Sequence, residues 1–164
     1  MPLDSGQPTE ALGASTDTNS ILSQSEPIKV APVPLPLIDW FWGKAGQLLQ
    51  RAIDEGAGEL LIEDVYDRLQ SQQMHLLLAL DGQKILAAFV TEVVNYPRKR
   101  ALRIVLAGGE SPERWKYQLR EILHMGAKAI GATSVEIFGR PGWARIWKGD
   151  PCIRHVYTVI VEDL

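Results

Sequence analysis

The sequence predicts an α+β domain in which a mixed β-sheet carries helices on both faces and an extended arm precedes it. Three observations lead there. Phe41, Ala45, Leu48, Leu49 and Ala52 repeat with the period of one helix face. From Met74 to Gly109 the pattern changes to three apolar runs separated by turn residues. A well-punctuated helical stretch then joins the third run to another strand, "TSVEIFG". A strand, a crossover helix and a strand in that order place the two strands parallel and adjacent.

Taken in order, residues 1–27 hold no aromatic residue and are rich in Ser, Thr, Gln, Gly and Pro. Such a composition does not offset its own ordering entropy. In "IKVAPVPLPL", Pro32, Pro34 and Pro36 exclude a central strand and favour an extended path, with room for a short edge strand at 28–33. Residues 1–36 are therefore read as an arm and 37–164 as the folded domain. The arm carries Asp4, Glu10, Asp17 and Glu26 against Lys29, which accounts for the whole net charge of −3. A neutral body gives no general attraction for nucleic acid or an anionic membrane.

Asp39 is the expected N-cap of the first helix, which "DEGAG" ends. Ile62, Val65, Tyr66 and Leu69 form a second amphipathic helix with an acidic outer face. "MHLLLAL" is a buried strand, Asp81-Gly82 marks a hairpin turn, and "KILAAFVTEVVNYP" and "RKRALRIVLAGG" complete an antiparallel meander. Ser111 and Pro112 suit the N-cap and first position of the long helix. Trp115, Leu119, Ile122, Leu123, Gly126 and Ile130 line its face, and Gly131 is its C′ residue. "RPGWARIWKG" is a short helical turn, and "CIRHVYTVIVEDL" is a last strand. The order is (β)ααβββαβαβ.

A lone cysteine, Cys152, excludes an internal disulfide, and the His and Cys residues show no metal-ligand spacing. The N-terminus lacks the apolar core of a signal peptide, and the longest apolar runs fall well short of the roughly 20 residues a membrane span needs.

This order, with a Gly-containing loop before the long helix, resembles the GNAT (GCN5-related N-acetyltransferase) fold from about Ile28 to Leu164. The segments "ALDGQKILAAFVTEVVNYPRKRALRIVLAGGE" and "VEIFGRPGWARIWK" are similar to small bacteriophage-encoded GNAT-like proteins. In that family a Gln/Arg-x-x-Gly-x-Gly/Ala loop and the following helix N-terminus hold the coenzyme A pyrophosphate. The resemblance places Leu106, Ala107, Gly108, Gly109 and Ser111 there as binding residues for acetyl-CoA. It implies Glu92 as a base and Tyr157 as an acid of an N-acetyltransferase acting on an amine.

Several residues depart from the family pattern. No Gln or Arg precedes Gly108 and Gly109 at the family's spacing, and Pro112 removes one N–H donor. Glu110 and Glu113 flank the helix start, each repelling a phosphate by about 4 kcal/mol per charge pair at about 4 Å and an effective dielectric near 20. The last short helix, where many of these enzymes carry a tyrosine acid, offers Trp143 and Trp147. These departures lead to the expectation of a non-catalytic phage assembly component with no cofactor and no metal. It would sit in the virion, or in the host cytoplasm during assembly, and dock through residues 1–36 on other phage structural proteins or on copies of itself. Trp40, Trp42, Arg140, Trp143, Arg145 and Trp147 are its candidate interaction residues, because Trp and Arg are enriched at interface hot spots. Core capping is the competing reading for the Trp143–Trp147 pair.

Overall fold

The computed structural model of the chain describes residues 27–56, 58–139 and 142–154. It contains a five-stranded sheet in the order β1-β2-β3-β4-β5. Strand β1 (Lys29–Pro32) lies on the edge, antiparallel to β2 (Met74–Asp81). Placing the proline at the end of an edge strand is what its missing N–H requires. A 3₁₀ turn (Leu35–Leu37) leads into α1 (Ile38–Asp54), which α2 (Ile62–Gln70) follows. Strands β2, β3 (Lys84–Asn95) and β4 (Arg100–Gly109) form the expected meander, with Gly82 (φ 55°) in the two-residue turn. The crossover helix α3 (Pro112–Ala129) brings β5 (Ser134–Ile137) parallel to β4, and α4 (Gly142–Ile146) closes the described chain. Among the described residues no helix is long and apolar enough to cross a membrane.

The sheet separates two cores. Helix α3 buries Trp115, Leu119, Leu123 and Ala127 against Leu77, Phe89, Leu102 and Ile104. Helices α1 and α2 bury Ile38, Ala45, Leu49, Val65 and Leu69 against Leu76, Leu78, Ala88 and Val90 on the opposite face. The T-shaped Phe89–Trp115 pair, centroids 4.8 Å apart, fixes α3 over the sheet centre.

Three helix ends differ in kind. Asp39 is not the N-cap of α1, because the 3₁₀ turn carries the helix start back to Ile38 with Leu37 in the cap position. Its carboxylate instead accepts hydrogen bonds from Tyr66 Oη (2.8 Å) and Gln70 Nε2 (2.9 Å), tying α2 to α1. Ser111 does occupy the N-cap of α3, but in a left-handed conformation (φ 57°, ψ 53°) and with no capping bond from its hydroxyl. Gly131 (φ 68°) ends α3 as expected. Its N–H bonds Lys128 O and that of Ala132 bonds Ala127 O, the pair of bonds that closes a Schellman motif. Of the expected last strand, Cys152 lies in a turn, Arg154 has no regular structure, and residues 155–164 fall outside the described set.

Candidate functional site

Strand β4 changes character halfway along. From Ala101 to Ile104 it pairs with β3 on one side and β5 on the other. At the next residue the register with β3 slips: Thr91 faces Ile104 while Val90 faces Leu106, so Val105 is a bulge residue. The packing shows the same slip. Ile104 and Ala107 contact the α3 core, whereas the consecutive Val105 and Leu106 both contact the α1/α2 core. Pairing with β5 ends at Ile104↔Ile137, with one further bond from Phe138 N–H to Ile104 O (3.1 Å). Beyond that level β4 continues to Gly109 with a β3 partner but no β5 partner. The two parallel strands therefore part at the bulge, and among the described residues one edge of 105–109 has no strand neighbour.

The glycines that end β4 serve packing. A Cβ on Gly108 would lie against Leu48 O and 2.6 Å from Leu48 C, so the α1 backbone sits on this glycine. A Cβ on Gly109 would lie 2.5 Å from Ala87 Cα, and its φ of 147° is strained for an L side chain. Both positions are filled from inside the fold, where the family resemblance put open space for a pyrophosphate. Two donors at the start of α3 are taken up within the chain: Glu110 N–H bonds Leu86 O (3.0 Å) and Arg114 N–H bonds Ser111 O (3.0 Å), while Pro112 has no N–H. Glu110 pairs with Lys84 (2.7 Å), whose hydrogen bond and charge hold its carboxyl below the usual range. Arg114 is bound to Asp81 (2.9 Å). Residues 81–84 and 110–114 hold Asp81, Glu110 and Glu113 against Lys84 and Arg114, and Lys44 stands near enough to act on the Glu110 carboxyl, so these charges balance. The packed glycines and the missing Pro112 N–H narrow what this corner offers a diphosphate.

A polar row crosses the sheet one step before the bulge. Glu92, Arg103 and Glu136 are register partners on β3, β4 and β5. Their neighbours Leu102, Ile104, Val135 and Ile137 face α3, which puts the row on the α1/α2 face. Arg103 reaches Glu92 (3.4 Å), Glu136 (3.2 Å) and the Tyr96 hydroxyl (2.7 Å), and it stacks on Phe138. Tyr96 and Lys99 donate to Glu136 at 2.8 Å each. Burial disfavours the Glu136 anion, but the hydrogen bonds from Lys99, Tyr96 and Arg103 prevail and keep its pKa below the usual value. Burial likewise opposes the Arg103 charge, and Glu136 and Tyr96 outweigh it. Glu92 was singled out from the sequence. Arg103 and Glu136 were not, although their signal was readable as charged residues at inward-alternating positions of two strands that the crossover makes neighbours.

The aromatic residues divide. Trp143 packs half-buried against the α3 core, and Trp147 is buried at 8% exposure. For Trp143 the structure supplies the core-capping geometry, while the buried Trp147 leaves its indole Nε1 without a partner among the described residues. Arg145 is exposed on α4. Trp42 packs on Tyr66 (centroids 5.2 Å) in a groove of about 440 Å³ between α1 and α2, which Asp39, Glu63 and Asp67 also line. Trp40 is 83% exposed beside the proline-rich entry. Arg140 and Tyr157 lie outside the described residues.

Solved structures share this arrangement. The chain aligns with a ribosomal-protein-alanine N-acetyltransferase from Brucella melitensis biovar Abortus (TM-score 0.59, 16% identity, 84% of this chain and 99% of that one). It aligns as well with a predicted acetyltransferase with acetyl-CoA from Clostridium acetobutylicum (0.59, 12%, 82% and 96%). A third match is an aminoglycoside acetyltransferase from an uncultured soil metagenomic sample, in complex with sisomicin (0.58, 16%, 84% and 96%). The fold is the GNAT fold. No family model and no curated protein matches the sequence. At these identities the likeness establishes the GNAT architecture, and residue roles rest on the geometry above. Among the described residues no group of three His, Cys, Asp or Glu side chains could hold a metal ion.

Proposed function

We propose that the domain is an N-acyltransferase that moves an acyl group from a thioester to an amine. The observation that carries this reading is the β4 edge at 105–109, which has no strand partner among the described residues, begins at a bulge and adjoins a half-buried carboxylate row. The acetyltransferase neighbours support it at the level of fold. In such a reaction the amine nitrogen bonds the acyl carbon, the carbon–sulfur bond breaks, and the amine proton ends on the thiolate. The thioester supplies the activated carbon. Backbone N–H groups on the open side of this edge would face the carbonyl oxygen as it gains charge. Glu92, whose polar contact among the described residues is a long one to Arg103, would accept an ammonium or take its proton, directly or through water. Tyr157 is the expected proton donor to sulfur.

Thiol release from acetyl-CoA with a panel of primary amines tests the proposal. Turnover that falls at least tenfold in Glu92→Gln, with donor affinity unchanged, is the expected result. No thiol release and no saturable binding of any acyl thioester would refute it.

One observation favours a second reading. At the α3 corner the glycines are packed from inside the fold and Pro112 has no N–H, which suits a non-catalytic assembly component that docks through residues 1–36. Trp40 stands exposed where that arm enters the domain. Because β1 belongs to the sheet, the informative truncation removes 1–26 and leaves β1 in place. Under this reading the shortened chain stays folded and fails to join a phage particle, and normal incorporation would overturn it.

A further inference from the structure

We infer that the groove between α1 and α2 is a docking site for a lysine- or arginine-bearing segment of a partner protein. Nothing in this site draws on acyl transfer. The groove opens to solvent between the two helices, while Ile38, Ala45 and Leu49 turn another face of α1 to the sheet.

Its lining joins two chemistries that together suit a cation on an aliphatic stem. Trp42 and Tyr66 form an apolar wall, their rings tilted at 50° with centroids 5.2 Å apart. Gly46 seats the Trp42 indole along α1, since a Cβ there would lie 3.5 Å from it, so the wall is formed before any partner arrives. Asp39, Glu63 and Asp67 are the exposed carboxylates of the lining, and no Lys or Arg stands among the described residues that line it. Asp39 accepts its bonds from neutral donors, Tyr66 Oη and Gln70 Nε2. Glu63 and Asp67 form no ion pair among the described residues. The Tyr66 hydroxyl registers the same field: its hydrogen bond to Asp39 comes first in holding it protonated, and the charges of Asp39 and Asp67 add to that. An aromatic wall takes the stem and attracts the head of a Lys or Arg side chain, and the carboxylates then meet its charge.

The negative charge extends past the groove. Residues 38–70 hold seven carboxylates against Lys44, Arg51 and Arg68, in a body that is neutral from 37 to 164. With all three cations counted, the α1–α2 unit still repels nucleic acid and anionic lipid and steers a basic partner toward itself. The carboxylates of the groove stand on both helices, so a segment carrying several cations satisfies them where a lone ammonium does not.

The test is titration of the full chain with N-acetylated, C-amidated octalysine and octaarginine, read by calorimetry and by the Trp42 indole N–H resonance. The expected result is saturable binding that weakens as salt rises, with a shift of the Trp42 resonance. Glu63→Gln/Asp67→Asn should weaken it about tenfold. Asp54→Asn/Glu59→Gln removes the same charge from the α1–α2 unit outside the groove and should cost less than about threefold. All four side chains are exposed, so both variants keep the fold. Equal losses in the two variants would reduce the attraction to net charge and overturn the inference. So would a Trp42 resonance that stays in place, or no saturable binding of either peptide at millimolar concentration. Salt-sensitive self-association of the parent that Glu63→Gln/Asp67→Asn abolishes would assign the groove to a second copy and overturn it as well. Thiol release is not among these readouts, so neither proposal's failure decides the other's.

Discussion

Replacing Gly108 with alanine separates a packing glycine from a ligand-binding one. The added methyl would sit 2.6 Å from Leu48 C and 3.3 Å from Leu49 N, and both are backbone atoms of α1. Carbon atoms rest near 3.5–4.0 Å, so helix and strand must separate by about 1 Å. The contact lies over Leu49 and Ala45, both wholly buried, and a rigid shift of α1 loosens that core along its length. Overpacking by one methyl typically costs about 1–3 kcal/mol, and the obstacle here is backbone that no rotamer change relieves. We expect about 3 kcal/mol of destabilisation, a fall in Tm of about 6–12 °C for a chain of this length. Urea unfolding followed by circular dichroism measures it. Gly43→Ala is the control: nothing lies within 4 Å of its Cβ in the exposed middle of α1, so it should gain about 0.5–1 kcal/mol. Should Gly108→Ala unfold within about 1 kcal/mol of the parent while losing thioester binding, the packing account of this glycine is wrong.

Other consequences are as direct. Arg103→Met leaves Glu92 and Glu136 facing each other without their shared cation, and about 2 kcal/mol of stability should go by urea unfolding, discounted for partial exposure. Glu92→Gln should change stability by less than about 1 kcal/mol in the same assay, because its side-chain polar contact among the described residues is 3.4 Å long. The Glu136 pKa lies below its unfolded value of about 4.3, so the stabilisation is complete above that pH and is lost as pH falls through the folded value. Glu136→Gln should therefore show a shallower loss of stability on acidification than the parent. The Tyr66 hydroxyl is held protonated above its ordinary value of 10.0, first by its hydrogen bond to Asp39. In Asp39→Ala an ultraviolet difference titration should show this tyrosine ionising at lower pH.

Much of the architecture was readable because local signals agreed. Asp81-Gly82 fixed one turn, Ser111-Pro112 and Gly131 bounded α3, and the crossover predicted the β4–β5 pairing that the register shows. The failures have physical causes. Asp39 reads as a cap by residue type, but nothing local reveals that a proline-rich turn extends the helix backwards past it. The Gly108-Gly109 pair reads as a loop built for an anion, yet its requirement comes from Leu48, sixty residues away in sequence. Glu110 and Arg114 were readable as charges but not as spent ones, since Lys84 and Asp81 reach them across the β2–β3 hairpin.

The bulge at Val105 explains why the cleft itself could not be read. Side-chain alternation has period two, so a single inserted residue exchanges the faces of everything after it. Along "RIVLAGG" a strict alternation would send Val105 and Ala107 to one face and Leu106 to the other. The structure sends Val105 and Leu106 together toward α1 and returns Ala107 to α3. The residue that re-aims the strand also sits where β5 leaves it. Just after β5 the Trp143 indole lies 2.8 Å from where a Gly139 Cβ would be, so the chain leaving the sheet is packed under this tryptophan. An exposed ladder edge of this kind is a liability in a stable sheet, and the fold keeps it at the one place where backbone donors and the Glu92–Arg103–Glu136 row share a face.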